Sequence, residues 1–146
     1  MTAKRISTNK RLNDDYDNLF LSASAYAGVD PKILKAVAMN ESGPRFEFMD
    51  KWEPVGGTIG ILHVQFETAK DYAPNLTREE WLKPQMQISI AAQHIARLMK
   101  VFNNDLGKVI MAYNAGEGRI QSGVVPSVTR DYLERFWRNY NRLGVA

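Results

Sequence analysis

Residues 30–43 read DPKILKAVAMNESG, a helix complete with its own start and stop signals. Asp30 is a natural N-cap, Pro31 suits the first helical position, and Gly43 suits the C-terminal stop. Leu34, Val37 and Ala38 form one apolar stripe, and the next place on that stripe belongs to Glu41. On spacing alone, a carboxylate at a helix end more often turns outward to water. If it stays on the stripe, burial and the negative end of the helix dipole both disfavour its ionised form. Both effects raise its pKa toward the range of a general acid at neutral pH.

Helical spacing continues on either side. Tyr16, Leu19, Phe20, Ala23, Tyr26 and Ala27 form one stripe that Gly28 ends. Residues 43–59, GPRFEFMDKWEPVGGTI, hold two prolines and three glycines with no period. The region around 43–65 therefore reads as an irregular segment with room for a small hairpin, and long loops of this kind tend to be functional. Its aromatics Phe46, Phe48 and Trp52 are equally suited to stacking on sugar faces or to a small satellite core. Residues 66–73 suit a short helix. Thr77 with Glu80 resembles a capping box opening another helix around Trp81. After Pro84 the stripe Ile88, Ala91, Ala92, Ile95, Leu98, Met99 and Phe102 marks a central core helix. Leu106, Val109, Ile110 and Tyr113 define the next, broken at Gly116. Past Gly123 and Pro126, Thr129 is placed to cap a last helix with Leu133, Phe136, Trp137 and Tyr140 on its stripe. The expectation is one all-α, mainly helical domain over 1–146, with residues 1–12 a flexible polar arm.

Composition narrows the function. The chain has 146 residues, 45% hydrophobic and 24% charged, ordinary for one globular domain. It has no cysteine and only His63 and His94, so thiolate and histidine-rich metal sites are excluded. The net charge of +3 comes from basic groups at both ends, including Arg130, Arg135, Arg138 and Arg142. Asp131 and Glu134 interleave with these arginines, which reads as a solvated helix face. A mild basic excess without a recognised motif or dense basic stripe does not support nucleic-acid binding. No stretch is long enough to span a membrane, and the basic N-terminus lacks the apolar core of a secretory signal. The chain as written is expected to be made in the cytoplasm without a signal peptide.

Three groups at helix ends and loop entries carry the functional reading: Glu41-Ser42-Gly43, Gly60-Ile61-Leu62-His63-Val64 and Ala112-Tyr113-Asn114-Ala115-Gly116. Each alone has an ordinary structural explanation: Tyr113 as core, Gly60 as a turn, His63 as a surface histidine. As an ordered set they resemble the soluble lytic transglycosylases, lysozyme-like enzymes that cleave bacterial peptidoglycan. The resemblance runs from about Ala25 to Tyr132. It includes the glutamate-serine pair, a GLMQ-type motif at 60–63 followed by Thr68-Ala69, the intact AYNAG at 112–116, and Thr129-Arg130-Asp131-Tyr132.

The resemblance implies a lysozyme-like fold, with Glu41 as the single catalytic acid and base and with no metal or cofactor. Tyr113 and Tyr132 would flank Glu41 and help to bind sugar, and Asn114 and Gly116 would shape the turn presenting Tyr113. Gly60 would bring backbone close to the substrate, Leu62 would form an apolar wall, and Ser42 and His63 complete the implied binding set. The chain departs from the family pattern at Leu62 for methionine, His63 for glutamine, and Val128 for a glutamate before the threonine-arginine pair. His63 can change charge at about pH 6.5. The implied partner is the peptidoglycan glycan strand, cleaved by a monomer with formation of 1,6-anhydromuramic ends. A lone domain without signal or anchor also resembles phage endolysins, which reach the host wall after release. Two alternatives stay open. One is a lysozyme-type muramidase on the same fold, with Glu47, Asp50 or Glu53 as second carboxylate. The other is a non-catalytic peptidoglycan-binding virion module.

Overall fold

Asp30 opens the helix as its sequence indicates: its side chain accepts from the Lys32 N–H at 2.9 Å, Pro31 follows, and the Gly43 N–H closes on the Met39 carbonyl. A cap of this kind is worth about 1 kcal/mol. In the computed structural model, residues 12–54 and 57–144 are described. They form α1 (Asp17–Ala27), α2 (Pro31–Ser42), α3 (Phe66–Tyr72), α4 (Arg78–Trp81), α5 (Pro84–Val101), α6 (Leu106–Ala115), α7 (Glu117–Gln121) and α8 (Ser127–Asn141). No strand occurs among the described residues, so the all-α expectation holds. One antiparallel bridge, Glu53 to Thr58, is what remains of the hairpin considered for the irregular segment. The expected arm lies outside the described residues except for Leu12, which is buried in the core.

The centre of the molecule differs from the sequence reading. The long helix α5 does bury Ile88, Ala91, Ala92, Ile95 and Leu98. Yet α2 is the helix enclosed on all sides, with every residue from Ile33 to Asn40 buried. It packs against α1, α5 and α8, while α1 and α6 close the sides through α5 and α8. Even Lys35 is fully buried, its ammonium held by Asp17 at 2.6 Å and Asp14 at 3.2 Å. Stripe counting missed this, because the polar spacing of α2 places Lys35, Asn40 and Ser42 where one expects solvent. Buried polar groups persist when they are paired, and each of these is.

Two further expectations are corrected. Thr129 does not cap α8, which begins at Ser127 after Pro126 without a side-chain cap. Its hydroxyl donates instead to Asn114 Oδ1 at 2.8 Å, tying α8 to α6. The buried face of α8 is Thr129, Tyr132 and Phe136, so Trp137, 38% exposed, lies off it. The short helix α7 lies between the break at Gly116 and Gly123, in a stretch too short for a period to be visible.

Candidate active site

Glu41 is the penultimate residue of α2, at the floor of a cleft of about 740 Å³. Its side chain is 15% exposed, so it stays on the stripe rather than turning outward. The Tyr132 hydroxyl donates to its Oε1 at 3.0 Å. Its pKa rises from 4.5 to about 7, chiefly because burial penalises the ionised form. The Tyr132 hydrogen bond and the Arg135 charge work in the opposite direction, and Glu53 adds to the rise. At neutral pH the carboxyl therefore holds a proton for much of the time, as a general acid requires.

His63 also lines this cleft, with Nδ1 3.7 Å from Glu41 Oε2. Burial lowers its pKa below the usual 6.5, so the imidazole is neutral at neutral pH. A neutral ring beside a protonated carboxyl is not an ion pair, and the proximity leaves the acid form intact. His63 sits at φ 45°, a left-handed backbone uncommon outside glycine.

Among the remaining expected residues, the structure divides those that face the cleft from those that build it. Tyr113, Asn114 and Tyr132 line the cleft. Tyr113 does not touch the carboxyl: its hydroxyl donates to the Leu62 carbonyl at 3.0 Å, which fixes the ring against the 60–64 loop. Both tyrosines have pKa values raised well above 10, first by burial and next by the nearby Glu41, so both keep their protons.

Ser42, Gly60 and Leu62 are corrections. All three are buried and none faces the cleft. The Ser42 hydroxyl lies 2.9 Å from the Ala38 carbonyl and 2.7 Å from that of Ile61, joining α2 to the loop. Gly60, at φ 105°, packs on the Gln87 side chain, and a Cβ there would collide with the amide. Gln87 in turn accepts from the Leu62 N–H at 3.1 Å and donates to the Ile59 carbonyl at 2.7 Å. Glycine is thus required by an amide underneath rather than by substrate above. Leu62 serves through its backbone, and its side chain is core.

Sequence reading missed Asn40, Gln87, His94 and Arg135. Asn40 donates to the Tyr132 carbonyl at 2.8 Å and accepts from Asn139 at 2.7 Å, so α8 is clamped to the end of α2. Arg135 lies 3.4 Å from the Asn40 carbonyl and over the Tyr132 ring. Val128, which stands where the family pattern has a glutamate, is 68% exposed and does not line the cleft. At the far end, Glu117 accepts from Arg97, Arg97 donates to the Tyr72 hydroxyl, and that hydroxyl meets His94 Nδ1 at 2.7 Å. The His94 ring packs 5.9 Å from that of Tyr113. Burial, then the Arg97 charge, drops the His94 pKa to about 4, so the ring is neutral. Gln-type and Asn-type partners leave no periodic signal, so spacing could not reveal them.

Of the candidate second carboxylates, Glu53 alone lines the cleft. Glu47 is exposed and accepts from the Arg45 N–H, and Asp50 is exposed. The aromatics divide likewise: Phe46 is core against Tyr16 and Phe20, whereas Phe48 and Trp52 are 54% and 52% exposed. No group of metal-binding side chains occurs among the described residues.

An all-helical domain with one protonatable glutamate under a pair of tyrosines defines a class, and comparison with known proteins agrees. The family described as the transglycosylase SLT domain matches residues 10–131, and the chain belongs to it. It is 33% identical over 146 residues to the peptidoglycan transglycosylase gp16 of Escherichia phage T7, covering 94% of this chain but 11% of the phage protein. An inactive mutant of the lytic transglycosylase Slt from Pseudomonas aeruginosa has the same fold, with TM-score 0.73 at 18% identity over 86% of this chain and 23% of that one. The 70-kDa soluble lytic transglycosylase in complex with bulgecin A gives 0.64 at 21% identity, over 88% and 22%. The chain therefore spans less than a quarter of the length of each of these relatives.

Proposed function

We propose that this domain is a peptidoglycan lytic transglycosylase in which Glu41 acts first as acid and then as base. The observation that carries the reading is a single buried carboxyl with a pKa near neutrality, held by Tyr132 at the floor of an open cleft. Protonated Glu41 gives its proton to the glycosidic oxygen between N-acetylmuramic acid and N-acetylglucosamine. The C1–O bond breaks with its electrons going to that oxygen, and the muramic N-acetyl group stabilises the cationic carbon. Substrate-assisted glycosidases of this kind work without a second carboxylate. The ionised Glu41 then removes the proton of the sugar's 6-hydroxyl, and O6 closes on C1 as the 1,6-anhydro ring. Atoms balance without water, and Glu41 ends protonated.

Tyr132 and Arg135 serve the second half. Both favour the ionised carboxyl, so they steady it while it waits to act as base. Tyr113, Asn114 and His63 line the path of the glycan around it. A muramidase reading draws on Glu53, the one of the three candidates Glu47, Asp50 and Glu53 that lines the cleft. The substrate is the peptidoglycan strand, the domain acts as a monomer, and the setting is a bacterial wall reached after release from the cytoplasm. No helix among the described residues is long and apolar enough to cross a membrane.

The test is the mass of the muropeptide products. Anhydro ends, lighter by one water than reducing ends, are expected from the parent and lost on Glu41→Gln. Reducing muramic ends as the main product overturn the reading in favour of Glu53-assisted hydrolysis.

A further inference from the structure

One wall of the cleft carries a chain of polar side chains that the proposed reaction leaves unused. It runs from Glu117 on α7 through Arg97 on α5 and Tyr72 on α3 to His94 on α5. Glu117, Arg97 and His94 line the cleft themselves. Arg97 grips Glu117 with both ends of its guanidinium, at 3.0 and 3.4 Å, and gives its Nε–H to the Tyr72 hydroxyl at 3.2 Å. That hydroxyl lies 2.7 Å from His94 Nδ1.

Where the histidine keeps its hydrogen decides what this chain offers to the cleft. The neutral ring holds one N–H, on Nδ1 or on Nε2. Arg97 has only donors, so the Tyr72 oxygen already accepts once and its own hydrogen needs an acceptor. Among the described residues, His94 Nδ1 is the acceptor within reach. The separation of 2.7 Å suits an O–H donor, whereas N–H donors usually stand off at about 2.9–3.0 Å. The Arg97 cation polarises the phenol and makes its O–H the stronger donor. With Nδ1 accepting, the ring hydrogen stands on Nε2. That nitrogen has no partner among the described residues, yet it is not sealed from solvent, and its ring lines the cleft.

A neutral N–H is matched by a neutral acceptor. The Tyr113 ring packs 5.9 Å from that of His94, and Ala91, Ala112 and Ala115 add small apolar surface to the same cleft. An acetamido group fits both features, since it joins a carbonyl acceptor to a methyl. A hydroxyl on the same sugar carbon brings no methyl and a second hydrogen to satisfy. We infer that His94 holds its hydrogen on Nε2 and gives it to the acetamido carbonyl of a sugar in the cleft, which makes it a determinant of selectivity for N-acetylated glycan. This rests on the reading of the cleft as a glycan site. Tyr72 and Arg97 are positioning residues here, because they reach the sugar only through the ring.

The hydrogen and the selectivity are measured separately. In the nitrogen NMR spectrum of the parent, His94 Nδ1 is expected among unprotonated ring nitrogens and Nε2 among protonated ones; the reverse order overturns the proposal. Binding is then compared, with Glu41→Gln in place so that nothing is cleaved, for two neutral β-1,4 oligomers of equal length. One is built of N-acetylglucosamine and the other of glucose, so they differ in the acetamido group. With His94 present the first is expected to bind at least tenfold more tightly. His94→Phe keeps a ring without the N–H and is expected to cut that ratio about fivefold, the effect of one neutral hydrogen bond. His94→Gln returns an N–H and is expected to recover part of the loss, and Tyr72→Phe, which frees the ring hydrogen to move, is expected to fall between. Equal binding of the two oligomers with His94 present, or a ratio that His94→Phe leaves unchanged, overturns the proposal. Product masses from wall digestion judge the cleavage chemistry independently, so anhydro products without this selectivity would sink the role of His94 and leave the proposed function standing.

Discussion

Glu41 carries opposing influences whose balance sets the reaction. Burial wins at rest and keeps the proton on; Tyr132 and Arg135 pull the other way and matter once the proton has left. The folded pKa lies above the ordinary one, so the folded chain holds an extra proton between about 4.5 and 7. Stability therefore falls as pH rises through that window and is level on either side of it. Glu41→Gln cannot ionise and escapes this loss. It is expected to exceed the parent in unfolding free energy by roughly 3 kcal/mol more at about pH 8 than at about pH 4. Urea unfolding at both pH values measures this, and a difference that does not move with pH would show that the carboxyl is not buried as described. Turnover by the parent should likewise decline above pH of about 7 as the acid form is lost.

At the scale of elements, the 60–64 loop is positioned from below. Ser42, Gln87 and Tyr113, from α2, α5 and α6, each bond its backbone, and His63 is delivered to the glutamate as a result. Gly60 is the point where that arrangement is tightest. Gly60→Ala adds a left-handed backbone strain and displaces the Gln87 amide from two backbone partners. The expected destabilisation is roughly 2–4 kcal/mol, from the strain and the lost buried hydrogen bonds together. A melting temperature within a degree or so of the parent would mean that the loop tolerates the methyl and that Gln87 is not its support. The clamp from Asn40 to Tyr132 and Asn139 plays the same part for α8.

Across the whole molecule, α2 is the axis on which the other elements converge, and Lys35 is its internal anchor. The ammonium binds the start of α1 through Asp14 and Asp17 from a position with no exposure. A buried pair is weak evidence of net stabilisation, yet removing one partner of a buried pair is strongly destabilising. Lys35→Met is therefore expected to cost on the order of 3–5 kcal/mol. Equilibrium denaturation decides this. A loss below about 1 kcal/mol would mean that water or rearrangement already satisfies the carboxylates.

How much of this is legible in the residues follows from the range of the forces involved. Helix starts and stops at Asp30, Gly28, Gly43, Thr77 and Gly116 are local, set by caps and by backbone freedom within a turn, and the chain alone determines them. The apolar stripes determine that the domain is helical, and the order of Glu41, AYNAG and Thr129-Arg130-Asp131-Tyr132 marks the family. Tertiary structure alone decided which polar groups look inward. Ser42, Gly60, Leu62 and Gln87 became scaffold, while Asn40 and Arg135 entered the site. Those assignments rest on hydrogen bonds between residues far apart in the chain. Such bonds depend on how helices cross, and no periodicity along one helix records what the next will offer it.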